Sequence, residues 1–408
     1  MTCQSTDNLH WRITDPSHLL GAMRISLAEG GRFLEGRVAP YGPIAGERNV
    51  SYNHKVSWGM FASGVDHDTI AHVLDWVEKE SLQPNGDFYF PEEGFEYKDL
   101  QRVYRPMTFG KVAAWIDHPV IRKPLVLDRI LQYQHSSGGC FHCIGDDPKK
   151  PEPPPTIGTL NTSFLGHLMV ALDMQEQAVA AGNWLKNWVD LNRPHIAQGK
   201  VYSQVTVDGE LVTEVGPGER IFKVVDGIHP KQEGWQTGTA TAFLVVLYET
   251  LRERWGADES KARPYLDAAI ELIDFDDQAR LDTYLWPSKC KVGWGAGELL
   301  RIMSKFDMDD ADLAEKAYRV AERVAVFTFM DNQLPGGGWA TLHYPLSADI
   351  PEINFSYKPL KGTVHVPPCQ IEGSNTIWLS GEEITGEFLG ELKAIEEGVA
   401  AWLDSSAD

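Results

Sequence analysis

The stretch DFDDQARLDTYLWPSKCKVGW, residues 274–294, sets four carboxylates (Asp274, Asp276, Asp277 and Asp282) within nine positions, beside Phe275, Tyr284 and Trp286. It then passes through Pro287, Ser288 and Lys289 into a run of small and apolar residues. Clustered carboxylates suit a hard divalent cation, which takes its ligands from oxygen. A lysine beside them suggests an anion held jointly by metal and ammonium, as at phosphate sites. The competing reading is a solvated acidic helix end. Position in the fold decides between them.

The run that follows, VGWGAGELLRIM (292–303), is apolar or small on nearly every face, as are TSFLGHLMVAL (162–172) and GWQTGTATAFLVVLYETL (234–251). A helix apolar all round must be buried all round. Amphipathic helices lie between them: Ile70, Val73, Leu74 and Val77 recur at helical spacing, as do Leu313, Ala317, Val320, Val324 and Phe327. This alternation predicts an all-α, double-layered (α/α)6 barrel, with residues 1–408 as one catalytic domain. Inner helices are expected to start near 53, 105, 160, 235, 291 and 374, and outer ones near 67, 119, 175, 258, 311 and 383.

Outer helices end in a recurring turn: Gln83 to Phe88, Gln134 to Phe141, and Gln333 to Trp339. Glycine permits the reversal, the aromatic fills the gap between layers, and glutamine can bond loose helix-end backbone. The last of these fits QxxxGxW, which resembles the repeat of the squalene–hopene cyclase and prenyltransferase α/α toroids. Residues 199–215 alternate around Asp208-Gly209 and predict a small β-hairpin insertion. Residues 335–370 read as a long loop with short strands over one mouth, and KKPEPPP (149–155) as a stiff connector. All these segments lead from an outer helix to the next inner one. They therefore place the site at the N-terminal ends of the inner helices, where helix dipoles favour anions.

A net charge of −21 argues against nucleic acid or an anionic membrane as partner. It also means that an anionic substrate needs cations to mask the protein's own field. Five cysteines form a sparse, odd set, and the Cys140/Cys143 pair lacks a second pair at zinc-site spacing. No signal-peptide pattern and no apolar run of transmembrane length occurs, so a cytoplasmic protein is expected. Oligomeric state is not legible.

The acidic stretch precedes the fifth inner helix and falls on the loop-rich face. The string Asp307-Met308-Asp309-Asp310 has the same DxDD spelling, but it follows an inner helix and reads as helix capping. DxDD also suggests class II terpene cyclases, in which Asp276 would protonate an olefin. Lys289 argues against that, since a metal-and-lysine diphosphate clamp makes better use of it. Neither DDxxD nor the N/D-D-x-x-S/T-x-x-x-E string of class I enzymes is present.

Taken together, the stretch DFDDQARLDTYLWPSK, the α/α pattern and the chain length resemble the fungal humulene synthases of tropolone-sesquiterpenoid pathways, which lack the usual class I motifs. The resemblance implies ionisation of farnesyl diphosphate by two Mg²⁺ ions and a lysine, then 1,11-closure and proton loss to α-humulene. It maps the lysine onto Lys289 and an alkene-geometry position onto Leu285. The expected metal ligands are Asp274, Asp276 and Asp277, with Glu233, Gln236 and Asn161 as further candidates or helix caps. Aromatic candidates for the cavity are Trp58, Phe109, Trp235, Tyr284, Trp286, Trp294, Trp339 and Trp378, each of which could equally be core packing. His54, Lys55 and Arg105 open inner helices and read as phosphate contacts or exposed charge, and His167 as a core histidine. Six-hairpin barrels that hydrolyse glycans or epimerise sugars, with paired carboxylates beside tryptophan, are the rival enzyme class. A non-catalytic helical scaffold is a third.

Overall fold

The computed structural model describes residues 15–40, 42–44, 53–89, 100–141, 156–216, 223–228, 234–285, 287–339, 342–345, 374–377 and 381–405. Twelve helices among them form two layers. The outer layer is α1 (Pro16–Glu35), α3 (His67–Ser81), α5 (Pro124–Leu131), α7 (Gln175–Ile196), α9 (Glu259–Asp277) and α11 (Ala311–Val324). The inner ring is α2 (Val56–Ala62), α4 (Leu100–Trp115), α6 (Thr159–Ala171), α8 (Trp235–Glu253), α10 (Cys290–Lys305) and α12 (Gly381–Ser405), each packed on the next and α12 back on α2. The (α/α)6 barrel is therefore the architecture.

Its closure differs from the sequence expectation. Residue 383 does not begin an outer helix: α12 is the sixth inner helix, buried at every position from 382 to 392. The sixth outer helix comes from the other end of the chain. It is α1, which packs on α12 and holds it through Arg24 Nε and Glu396 Oε1 at 2.7 Å. Asp15 caps α1 by accepting from Ser17 N, with Pro16 at the first helical position.

The glutamine turns dock successive outer helices. Gln134 donates to Gly138 O and to Gln177 O of α7, and Gln333 donates to Gly337 O and to Ser26 O of α1. Gly337 has φ +88° and sits so close to α1 that a Cβ would lie 2.4 Å from Glu29 O. Thus the turn after α11 meets α1 as the turn after α5 meets α7, and that contact closes the circle.

On the opposite face, five short turns leave inner helices through one left-handed residue each: Gly64, Asp117, Asp173, Gly256 and Asp307. Four repeat the same pair of bonds, such as Asp307 N to Ser304 O and Met308 N to Met303 O. Asp310 then caps α11 by accepting from Leu313 N at 3.0 Å. The second DxDD string is a repeat turn and a cap.

The long connections carry three two-stranded antiparallel ladders. β1 (Thr156–Gly158) pairs with β3 (Gln204–Thr206), β2 (Lys200–Tyr202) with β4 (Val224–Asp226), and β5 (Leu342–Pro345) with β6 (Ser374–Ile377). The Asp208-Gly209 reversal forms, with Gly209 N on Thr206 O, but the expected hairpin is cut to a single Val205–Leu211 bridge. Its flanks are taken by other strands: Ser203 donates to Lys223 O and accepts from Thr159 N, switching the chain between partners. Residues 149–155 and most of 335–370 lie outside the described set, and so does Cys143; Cys140 is a buried free thiol.

Candidate active site

Helix α9 runs through Asp277, so its acidic residues obey helical periodicity. Asp274 and Asp277 lie three apart and face α11: Asp274 meets Lys316 at 3.1 Å, while Asp277 meets Arg319 at 2.8 Å and Arg323 at 3.2 Å. Asp276 turns the other way. Its Oδ1 accepts from Lys289 Nζ at 2.9 Å, with both side chains out of solvent, and Oδ2 is buried without a hydrogen-bond partner among the described residues. Tyr284 donates to the Asp276 carbonyl at 2.6 Å and lays its ring 5.4 Å from Lys289 Nζ. The lysine shaft passes so close to Gly234, at the start of α8, that a Cβ there would lie 2.5 Å from its Cδ.

The structure therefore joins Lys289, Asp276 and Tyr284 but does not gather Asp274, Asp276 and Asp277 around one point. As they stand, these carboxylates do not fit a shared pair of Mg²⁺ ions. Glu233, Trp286 and Trp378 lie outside the described residues, as does the side chain of Leu285. Gln236 and Asn161 are fully buried at the starts of α8 and α6, and Asn161 donates to Phe141 O at 2.9 Å. Trp235 is buried beside Gln236, and Trp339 is buried in the closing turn, donating to Phe329 O. Phe109 packs edge-on against Phe88 at 4.7 Å.

A second ionic group lies inside the ring. Glu383, Glu387 and Glu391 form an i, i+4, i+8 stripe on α12, all buried. Lys55, just before α2, reaches Glu387 at 2.7 Å and Glu383 at 3.1 Å. Lys291 of α10 bonds Glu387 and stands 3.5 Å from Glu391. Burial works to raise the Glu387 pKa, but Lys291 and Lys55 overcome it and hold the group well below the usual carboxylate range. For Glu391 burial wins over Lys291 and, with the Glu387 charge, pushes it up to about 7. His54, Lys55 and Arg105 thus depart from the exposed-charge alternative, since all three are buried. Arg105 lies near enough to Glu383 to favour its ionised form.

Among the described residues, Cys290, Glu387 and Glu391 stand at metal-ligand spacing. The fit to Mg²⁺ is poor. A thiol is a soft ligand, burial pushes the Cys290 thiol well up, and Lys55 and Lys291 occupy the carboxylate positions that a cation would need.

Further along the barrel axis the lining becomes aromatic. Trp58 and Trp294 lie 5.1 Å apart, Phe164 lies 6.2 Å from Trp58 and 5.8 Å from Trp294, and His167 stacks on Trp294 at 4.6 Å. Lys111 stands among these faces, its Nζ 3.7 Å from the Trp58 ring, 4.9 Å from Trp294, 5.1 Å from Trp115 and 5.4 Å from Phe164. A cavity of about 340 Å³ opens here, lined by Trp58, Lys111, Trp115, His167 and Trp294, with Glu249, Glu298, Arg301, Lys393 and Glu397 also contributing. Phe61, Trp115 and Ala171 are near or at the ends of their inner helices. The cavity therefore opens at the short-turn mouth, opposite the loop-rich face where sequence reasoning placed the pocket.

Sequence reasoning missed Lys111, Lys291, Phe164 and the glutamate stripe as site candidates. The stripe carried a signal: Glu383, Glu387 and Glu391 recur at i, i+4 and i+8, and the residues between them, from 384 to 390, are apolar or small.

No protein-family model matches the sequence, and no curated protein matches it. Solved structures do. A D-mannose isomerase superposes with a TM-score of 0.57 at 12% identity, covering 91% of this chain and 96% of that one. A possible GH105 family member from Salmonella enterica has a TM-score of 0.49 at 13% identity, covering 97% and 99%. A type II terpene cyclase from Scytonema has a TM-score of 0.47 at 11% identity, covering 94% and 99%. The first likeness shows the α/α-barrel fold and nothing narrower.

Proposed function

We propose that the chain is a sesquiterpene cyclase that takes farnesyl diphosphate as its magnesium complex, ionises it, closes the 1,11 bond and releases α-humulene after loss of a proton. The resemblance carried by residues 274–289 supports this. So does one arrangement: buried cations at the starts of the inner helices stand above a waist of aromatic faces. A molecule with an anionic head and an apolar tail matches that order.

Because the described carboxylates do not fit a resident ion pair, the magnesium is assigned to the substrate. Lys289 then has the role of meeting the departing diphosphate. Asp276 positions its ammonium and Tyr284 fixes Asp276 from the backbone side. A preorganised ammonium in a dry site stabilises developing negative charge without reorganising. Trp58, Phe164 and Trp294 present ring faces to the allyl cation and keep water from it. Asp276 does not suit the class II role, since an acid that must give a proton to an olefin cannot also be the anionic partner of Lys289.

The test is Lys289→Met assayed with farnesyl diphosphate and Mg²⁺. Loss of hydrocarbon product with unchanged far-ultraviolet dichroism is expected. Full turnover in that variant would overturn the assignment.

A further inference from the structure

We propose that Lys111 is a nucleophilic amine that forms imines with small carbonyl compounds bearing an aromatic or apolar group, which enter through the short-turn mouth. The proposal does not rest on the cyclase assignment, although Trp58, Phe164 and Trp294 serve in both. Lys111 is 1% exposed, yet it lines the cavity of about 340 Å³, within the usual size range of ligand pockets. It makes no hydrogen bond or ion pair among the described residues, and its surroundings are the faces of Trp58, Trp115, Phe164 and Trp294. Lysine is almost never buried in this way without a carboxylate partner.

The consequence is chemical. An ammonium without an anion has lost its water and gained only ring quadrupoles, so the uncharged amine is favoured. Burial pushes Lys111 down to about 7, although Glu391 of α12 and Glu298 of α10 pull the other way. His167 of α6 is a further titratable neighbour, which burial and Lys111 hold well below its ordinary value, so it faces the amine as a neutral imidazole. At the rim, Arg301 and Lys393 accompany Glu249, Glu298 and Glu397. Among the described residues His167 Nε2 has no hydrogen-bond partner, so nothing else holds the imidazole edge there.

The step balances without a co-reactant. The Nζ lone pair attacks the carbonyl carbon, and as the C–N bond forms one amine proton passes to the carbonyl oxygen. The carbinolamine then loses its hydroxyl, which takes the one proton left on the nitrogen and departs as water while the C=N bond forms. Amine and carbonyl become imine and water. The aromatic walls hold the apolar group of the carbonyl compound and shelter the imine from hydrolysis.

The experiment uses the full chain with benzaldehyde and cyanoborohydride, which reduces an imine to a stable benzylamine, over a pH series, followed by peptide mass mapping. Lys111 is expected to carry the benzyl group first, with half-maximal labelling near pH 7, whereas exposed lysines follow only toward their ordinary pKa of about 10.4. Lys111→Met should remove the early label alone. Because mapping on the unsubstituted chain gives the primary result, a folding failure of that variant would not blunt the test. An unlabelled Lys111 beside labelled surface lysines, or labelling of Lys111 that rises only in step with theirs, would overturn the proposal.

Discussion

Lys289 Nζ lies 2.9 Å from Asp276 Oδ1, with the lysine side chain 0% and the aspartate side chain 1% exposed. One residue ends an outer helix and the other precedes an inner one, so the pair fastens the two layers at the loop-rich mouth. Removing either partner alone leaves a buried charge uncompensated, which costs about 3–5 kcal/mol. Lys289→Met and Asp276→Leu should each lower the urea midpoint sharply, and the double variant should fall well short of their sum. Additive losses would show that the two charges are not coupled.

Glu391 gives a pH signature. Its folded pKa of about 7 lies above the ordinary glutamate value of 4.5, so the folded state binds a proton that the unfolded state releases. The resulting penalty is absent below about pH 4.5, grows as pH rises, and is complete above 7. Glu391→Gln should therefore stabilise the chain at pH 8, on the order of 1–3 kcal/mol, and give little at pH 4. Denaturant titrations at the two pH values check this, and an equal effect at both would contradict the assignment.

Lys111 has the opposite sign. With its folded pKa near 7 and an ordinary lysine value of 10.5, burying its charge is most costly below pH 7, and the cost fades as pH rises toward 10.5. Lys111→Met should raise the urea midpoint at pH 6 and raise it much less at pH 10. A variant destabilised equally at both would show that the amine is held by partners other than the rings.

The closing turn should be sensitive at Gly337. Alanine there meets both a positive φ and the Glu29 carbonyl, a strain of about 2 kcal/mol or more. Thermal melting of Gly337→Ala should fall, and hydrogen exchange should quicken first in α1, the helix that the turn holds. Uniform protection along α1 would mean that the ring is closed mainly elsewhere.

The layers were legible because a fully apolar helix and a half-apolar one differ in periodicity, and the glutamine turns because glycine and glutamine act locally. The sixth pair was not. Glu383, Glu387 and Glu391 show a spacing in the sequence but no partners, because Lys55 and Lys291 meet Glu387 from 332 and 96 residues away. In the acidic stretch it is the direction of each carboxylate that was not legible. Four carboxylates in a string carry no direction, and once α9 extends through Asp277, Asp276 must point away from Asp274 and Asp277. Lys289 stood out because it follows that string. Lys111 sits alone among small and apolar residues, and nothing local marks it.

The most direct measurement is gas chromatography of the full chain incubated with farnesyl diphosphate, with Mg²⁺ and with EDTA. A single cyclic hydrocarbon matching α-humulene, formed only with the metal, is the predicted result. No hydrocarbon under either condition, or a cyclised product that keeps its diphosphate and ignores EDTA, would contradict it.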